Sequence, residues 1–192
     1  MKKTLLLSLL ASTLIFASGE TKPVTSSLSP TTLNEEGDYI SSIPISIGLL
    51  GGIQQGDGDN DEWENMFGAE LAFECLFSQD VRSQLQYMYY NVDGLTMQQL
   101  SANPHFVFYF DDLGESVEFG VGPHFGITQV EKGNDDDIIF TYGLGTSVRT
   151  NIADNIYVGA EARYEWTTDA TLGGKDDSYN NAKVFAKVGY SF

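Results

Sequence analysis

The chain has one cysteine among its 192 residues, Cys75, so no internal disulfide can staple it. Cations are scarce: ten Lys and Arg stand against 27 Asp and Glu, a formal net charge of −17. Such acidity argues against nucleic acid or anionic surfaces as partners. Long apolar runs are also missing. Beyond Phe16 no stretch approaches the ~18 consecutive apolar residues of a membrane-spanning helix, so any crossing must be made by strands.

The beginning of the chain is different. Lys2 and Lys3 precede an apolar run, Leu5 to Phe16, interrupted only by Ser8, Ser12 and Thr13. Ala17-Ser18-Gly19 then supplies the small residues a signal peptidase site needs, so residues 1–19 read as a cleavable signal peptide. The run falls short of the roughly twenty residues of an anchor, and no Cys follows it to carry a lipid. Cleavage of 19 residues from 192 leaves 173, enough for one domain, and losing two lysines moves the net charge to −19. Residues 20–38 are rich in Thr, Ser and Pro without periodicity, which reads as a flexible periplasmic leader ahead of residues 39–192.

From Ile43 onward the chain alternates between apolar and polar residues in eight stretches. Period-two alternation marks half-buried strands, and about ten residues is what a tilted strand needs to cross a bilayer. The pattern predicts strands over Ile43–Gln54, Met66–Phe77, Val81–Val92, Met97–Phe110, Val117–Val130, Ile138–Asn151, Ile156–Trp166 and Ala182–Phe192. Pro104 and Pro123 fall inside the fourth and fifth and remove ladder donors, so weak pairing or a bulge is expected there. Short turns near Ser78–Asp80, Asp111–Ser116 and Ile152–Asn155 alternate with longer acidic loops at Gln55–Asn65, Glu131–Asp137 and Thr167–Ser178. The connection at Asp93-Gly94 is short although it falls among the longer ones. The fold class is all-β: an eight-stranded antiparallel up-and-down transmembrane β-barrel.

A soluble barrel alternates too, but turns its apolar face inward. Three features favour the inverted arrangement. Aromatics on the apolar face gather at strand ends, Phe77, Phe110, Phe119, Tyr190 and Phe192 at one rim and Phe67, Tyr89, Phe140, Tyr164 and Trp166 at the other. The polar face is rich in Gly and Ser, as a narrow interior requires. Its charges also balance: Glu70, Glu74, Glu118, Glu161 and Glu165 against Arg82, Arg149, Arg163, Lys183 and Lys187. Ions withdrawn from water must be paired, so these ten are the candidate lumen network. Parity lets Tyr164 pair with Ala182, which sets Glu161 and Glu165 diagonal to Lys183 and Glu161 diagonal to Lys187. Pairing Phe77 with Val81 would set Glu74 diagonal to Arg82. Cys75 shares the apolar parity of Phe73 and Phe77, which reads as a buried, inert thiol.

The segment Val121-Gly122-Pro123-His124-Phe125-Gly126 and the terminal Val188-Gly189-Tyr190-Ser191-Phe192 carry a resemblance to small outer-membrane barrels of Gram-negative bacteria, of the OmpA/OmpX and opacity-protein type. The resemblance covers Ile43 to Phe192. It implies residence in the cell outer membrane among its lipids and lipopolysaccharide. It further implies that the barrel-assembly machinery reads the last strand through Val188, Tyr190 and Phe192. It implies activity far less firmly, since one architecture hosts several functions.

Chemistry-bearing clusters are few. The loops carrying Asp57, Asp59 and Asp61, and Asp135, Asp136 and Asp137, hold hard oxygen ligands suited to weak divalent-cation binding. The first fails as an EF-hand, with Glu62 at its sixth position and Gly68 at its twelfth. Solvated acidic loops are the plainer reading. His105 and His124 point inward by parity, with Asn103 opposite His124 when Phe110 pairs with Val117, and read as members of a polar network. Neither has a Ser two residues on, the spacing in outer-membrane lipid A deacylases, and no Ser, His and acid set is suggested. No cofactor or enzymatic activity is therefore expected. The default function is structural or surface-interacting, with the lumen plugged by charge. The alternatives are binding or uptake of a small apolar compound, supported by Pro104 and Pro123, and, behind it, a lipid A-modifying enzyme.

Overall fold

The computed structural model describes residues 32–33, 39–40, 45–56, 63–75, 78–92, 94–110 and 117–192, and the signal-peptide reading lies outside them. Thr32–Leu33 (β1) and Tyr39–Ile40 (β2) pair as a short antiparallel ladder within a unit of residues 1–43. The second unit, residues 44–192, is the barrel. Its strands are Ile45–Gly56 (β3), Trp63–Cys75 (β4), Ser78–Val92 (β5), Leu95–Phe110 (β6), Val117–Lys132 (β7), Asp135–Ala153 (β8), Ile156–Thr167 (β9) and Asn181–Ser191 (β12). Between β9 and β12 lie two short strands, Ala170–Leu172 (β10) and Lys175–Asp177 (β11), paired only with each other. Each barrel strand pairs antiparallel with its neighbours, and β12 closes the circle against β3 from Asn181↔Gly56 to Ser191↔Ser46. Phe192 extends the closure, its N–H donating to the Ile45 carbonyl at 2.9 Å.

The alternation decides which face is inside. Leu49 is 67% exposed, whereas Glu165 and His105 are 0%. The apolar face therefore points out and the charged face in, the reverse of a soluble barrel. Aromatic pairs stand on the outer wall at both ends. Phe110–Phe119 and Tyr190–Phe192 lie at the rim where the strands begin and end, with ring centroids 5.2 and 5.0 Å apart. Phe67–Tyr89 and Tyr164–Trp166 lie at the far rim, each 5.1 Å apart. Phe77 lies outside the described residues.

Four expectations need correction. The acidic loop expected over Glu131–Asp137 is a two-residue turn, because Lys132 pairs with Asp135 and Glu131 with Asp136. Gly133, at φ +65°, supplies the left-handed conformation such a hairpin requires. The loop expected over Thr167–Ser178 contains the β10–β11 hairpin, whose strands of three residues are too short to show a period. Near Cys75 a bulge between Glu74 and Cys75 shifts the register, so Glu74 stands directly opposite Arg82 instead of diagonal to it. Cys75 itself is only half-buried.

The proline expectation finds its counterpart in the ladder. Pairing between β6 and β7 runs from Phe110↔Val117 to Phe106↔Val121, stops, and resumes at Ala102↔Phe125. Pro104 and Pro123 fall opposite each other in the gap, and neither can donate. Their pairings on the other sides, Ser83↔Pro104 and Pro123↔Leu144, are intact.

Candidate functional site

The lumen-facing positions of β3 to β9 and β12 form one connected interior. At the terminal rim, Arg82 donates through Nε and Nη2 to both carboxylate oxygens of Glu118, at 2.7 and 2.6 Å. This fork geometry makes a strong, directional ion pair. Arg149 lies beside it without a carboxylate partner among the described residues. It donates to the hydroxyls of Ser46 (3.1 Å) and Ser191 (2.7 Å), and its guanidinium sits 3.7 Å from the centre of the Tyr157 ring.

Deeper in, Lys187 bridges Glu70 and Glu161, its Nζ 2.6 Å from an oxygen of each. Gln84 accepts a third bond from the same ammonium at 3.0 Å. Gln86 donates to Glu70 at 2.7 Å and accepts from Arg163 Nη1 at 2.8 Å, linking this layer to the next. There Glu165 is the hub. Its Oε1 lies 2.7 Å from Arg163 Nε and 3.1 Å from His124 Nε2. Its Oε2 accepts from Lys183 Nζ at 2.7 Å and from Gln99 at 2.9 Å. His124 Nδ1 lies 2.5 Å from Asn103 Oδ1, and His105 Nδ1 lies 2.9 Å from Ser147 Oγ. Charges so deeply buried persist only when paired and hydrogen-bonded, and each carboxylate in this layer meets at least two donors.

Glu70, Glu161, Glu165, Arg163, Lys183 and Lys187 thus come together, while Arg82 and Glu118 form a separate pair at the rim. Glu74 makes no ion pair among the described residues. Lys183 bonds Glu165, and Glu161 goes to Lys187; both are diagonal neighbours in the observed Tyr164↔Ala182 register. Val188 and Tyr190 point outward and Phe192 is exposed. Asp57, Asp59 and Asp61 lie outside the described residues. Asp135, Asp136 and Asp137 sit on β8, and among the described residues no three His, Cys, Asp or Glu side chains converge on one point. Asp137 instead accepts the Thr171 N–H at 2.9 Å, fastening the hairpin.

The residues missed by sequence reasoning are apolar ones that face inward. Toward the far rim the lumen changes character: Leu50, Met66, Met88 and Phe185 form one buried cluster. Met97, Val130 and Ile139 form another with Ala170 and Leu172 of the hairpin, and Tyr90 packs against both. Their parity was the available signal, since Phe185 lies between Lys183 and Lys187 on the charged face. Gly52 stands opposite Phe185 with no room for a side chain; a Cβ there would meet the Val184 carbonyl oxygen at 2.2 Å and Phe185 Cβ at 2.3 Å.

No protein-family model and no curated protein matches the chain. Solved structures do. Neisserial surface protein A superposes with a TM-score of 0.60 at 13% identity, covering 77% of this chain and 97% of that one. The fold is that of the small eight-stranded outer-membrane barrels. The N-terminal barrel domain of OprF from Pseudomonas aeruginosa gives 0.51 at 12% identity, covering 77% and 97%. OprH from the same organism gives 0.52 at 17% identity, covering 77% and 99%. Identities this low carry the architecture and no activity.

Proposed function

We propose that this protein is an outer-membrane barrel with a structural or surface-interaction role, held in the bilayer by its apolar wall and closed to ions through its lumen. The observation that carries the closure is the network around Glu165, Arg163, Lys183, Lys187 and Glu161, which leaves those side chains between 0 and 5% exposed. Eight strands enclose an interior that side chains just fill, so a general diffusion pore is disfavoured. Lipid chains and lipopolysaccharide are the partners of the outer wall. The barrel-assembly machinery is the transient partner of β12 through Val188, Tyr190 and Phe192, and any divalent cations at the far-rim acids bind weakly. The Ser147–His105 contact lies inside the lumen with His105 fully buried, so no enzymatic role is proposed. The same network stands against passage of an apolar compound from mouth to mouth. Planar-bilayer recording tests this reading: the intact protein is expected to show no stable ion conductance, and large, steady, voltage-independent steps would overturn it.

A further inference from the structure

The two apolar clusters need an explanation that ion pairing does not give. A lumen sealed by charge requires no apolar layer, yet Met97, Val130 and Ile139 face inward at the far mouth and are buried there. What buries them is the β10–β11 hairpin, whose Ala170 and Leu172 point down into the cluster while Thr171 between them is exposed. Leu95, Tyr90 and Tyr179 pack around its edge.

The hairpin is a sheet of its own. Its three backbone pairs, Ala170↔Asp177, Thr171↔Asp176 and Leu172↔Lys175, join nothing in the barrel ladder. It can therefore swing away without breaking a barrel pairing, at the cost of the Thr171 N–H bond to Asp137 Oδ2 (2.9 Å). Thr168 and Tyr179 anchor its two ends, through Thr168 N to the Phe140 carbonyl at 3.0 Å and Tyr179 N to Thr167 Oγ1 at 2.7 Å. Beneath the apolar cluster lies the floor of Gln99, Lys183 and Glu165, so the space is blind at its inner end.

We propose that β10–β11 is the lid of a dead-end apolar chamber, and that a small aliphatic molecule takes the place of Leu172 when the lid lifts. The class of occupant follows from the side chain that fills the seat now, an unfunctionalised four-carbon branch. Met97 is suited to line it, because an unbranched thioether chain adapts to differing shapes. Only the blind floor rests on the closed-lumen reading. Conductance tests that floor, and the measurement below does not depend on it.

The mature protein in lipid nanodiscs, carrying methyl-labelled methionine and valine, has its reporters in place at Met66, Met88 and Met97. Titration with n-octane is expected to shift the Met97 methyl resonance saturably. A lipid-facing methyl, Val188, serves as the control for partition into the bilayer and is expected to drift without saturating. Leu172→Gly removes the competing side chain and should tighten octane binding by roughly tenfold, the equivalent of burying part of one leucine. Ala170→Leu fills the seat further and should weaken it. The hairpin lies outside the barrel ladder, so both variants leave that ladder unbroken. The proposal is overturned if Met97 in the unmutated protein merely tracks Val188, whatever Leu172→Gly does. Equal half-saturation in all three forms overturns it too.

Discussion

Replacing Glu165 by Gln tests whether the interior is held by paired ions. Oε2 accepts hydrogen bonds from Lys183 and Gln99, while Oε1 lies 2.7 Å from Arg163 Nε and 3.1 Å from His124 Nε2 in charge contact without a hydrogen bond. The amide presents an NH₂ group where one oxygen stood, so it turns two donors toward each other on one side. It also leaves Lys183, 3% exposed at its side chain, without its carboxylate. Breaking a buried pair from one side costs about 3–5 kcal/mol, because the remaining charge is stranded. Against a typical total of roughly 5–15 kcal/mol, that is a large fraction. Urea unfolding in lipid vesicles, followed by the fluorescence of Trp63 and of Trp166, the residue after Glu165, reads the loss. Adding Lys183→Met to Glu165→Gln should recover part of it, with a coupling energy of about 0.5–3 kcal/mol. A Glu165→Gln loss below about 1 kcal/mol, or strictly additive effects, would refute the reasoning.

Gly52→Ala should destabilise by roughly 1–3 kcal/mol, since its Cβ would collide with Phe185, while Gly51→Ala, with nothing within 4 Å, should be neutral in the same unfolding assay. Phe192→Asp should lower the amount of assembled barrel in cells far more than it changes the unfolding of protein refolded in vitro; equal assembled yield would remove the proposed role of the last strand. The mature chain should fractionate with the outer membrane and migrate differently on gels before and after boiling, whereas recovery as a soluble periplasmic protein would contradict a lipid-facing wall.

What the sequence made legible and what it hid divide along a physical line. Strand identity needs only the alternation of neighbours, so Ile45, Ile47 and Leu49 announce an outward face without knowledge of any other strand. Hairpin register needs parity and a turn, which is why Tyr164 opposite Ala182 could be anticipated. Partners across the lumen need the stagger of the whole barrel, which no local pattern encodes. Arg82 on β5 therefore meets Glu118 on β7, 36 residues away and not on a neighbouring strand. Lys187 meets Glu70 across 117 residues. Acid-rich turn sequence misled at Glu131–Asp137, because Asp residues read as loop until a lysine stands opposite one of them.

If the lumen is closed as proposed, two kinds of closure occupy it, and their outcomes are separable. On the closed-lumen reading proposed above, the layer around Glu165 would exclude ions because protein charges already stand against its carboxylates. The layer of Met97, Val130, Ile139 and Leu172 would exclude them because it is hydrocarbon apart from the Met97 thioether, which already accepts from Gln54 Nε2 at 3.8 Å, so an ion entering it would lose its hydration without compensation. Failure of one therefore leaves the other intact. Glu165→Gln should weaken the fold yet remain silent in planar bilayers, since the apolar layer at the far mouth is still in place. Deleting residues 170–177 should also remain silent, since the charged layer still stands beneath. Only the two changes together should admit ions. Conductance from Glu165→Gln alone would mean that the apolar layer seals nothing, and silence from the combined variant, shown to be folded by its heat-modifiable migration, would mean that neither layer accounts for the closure.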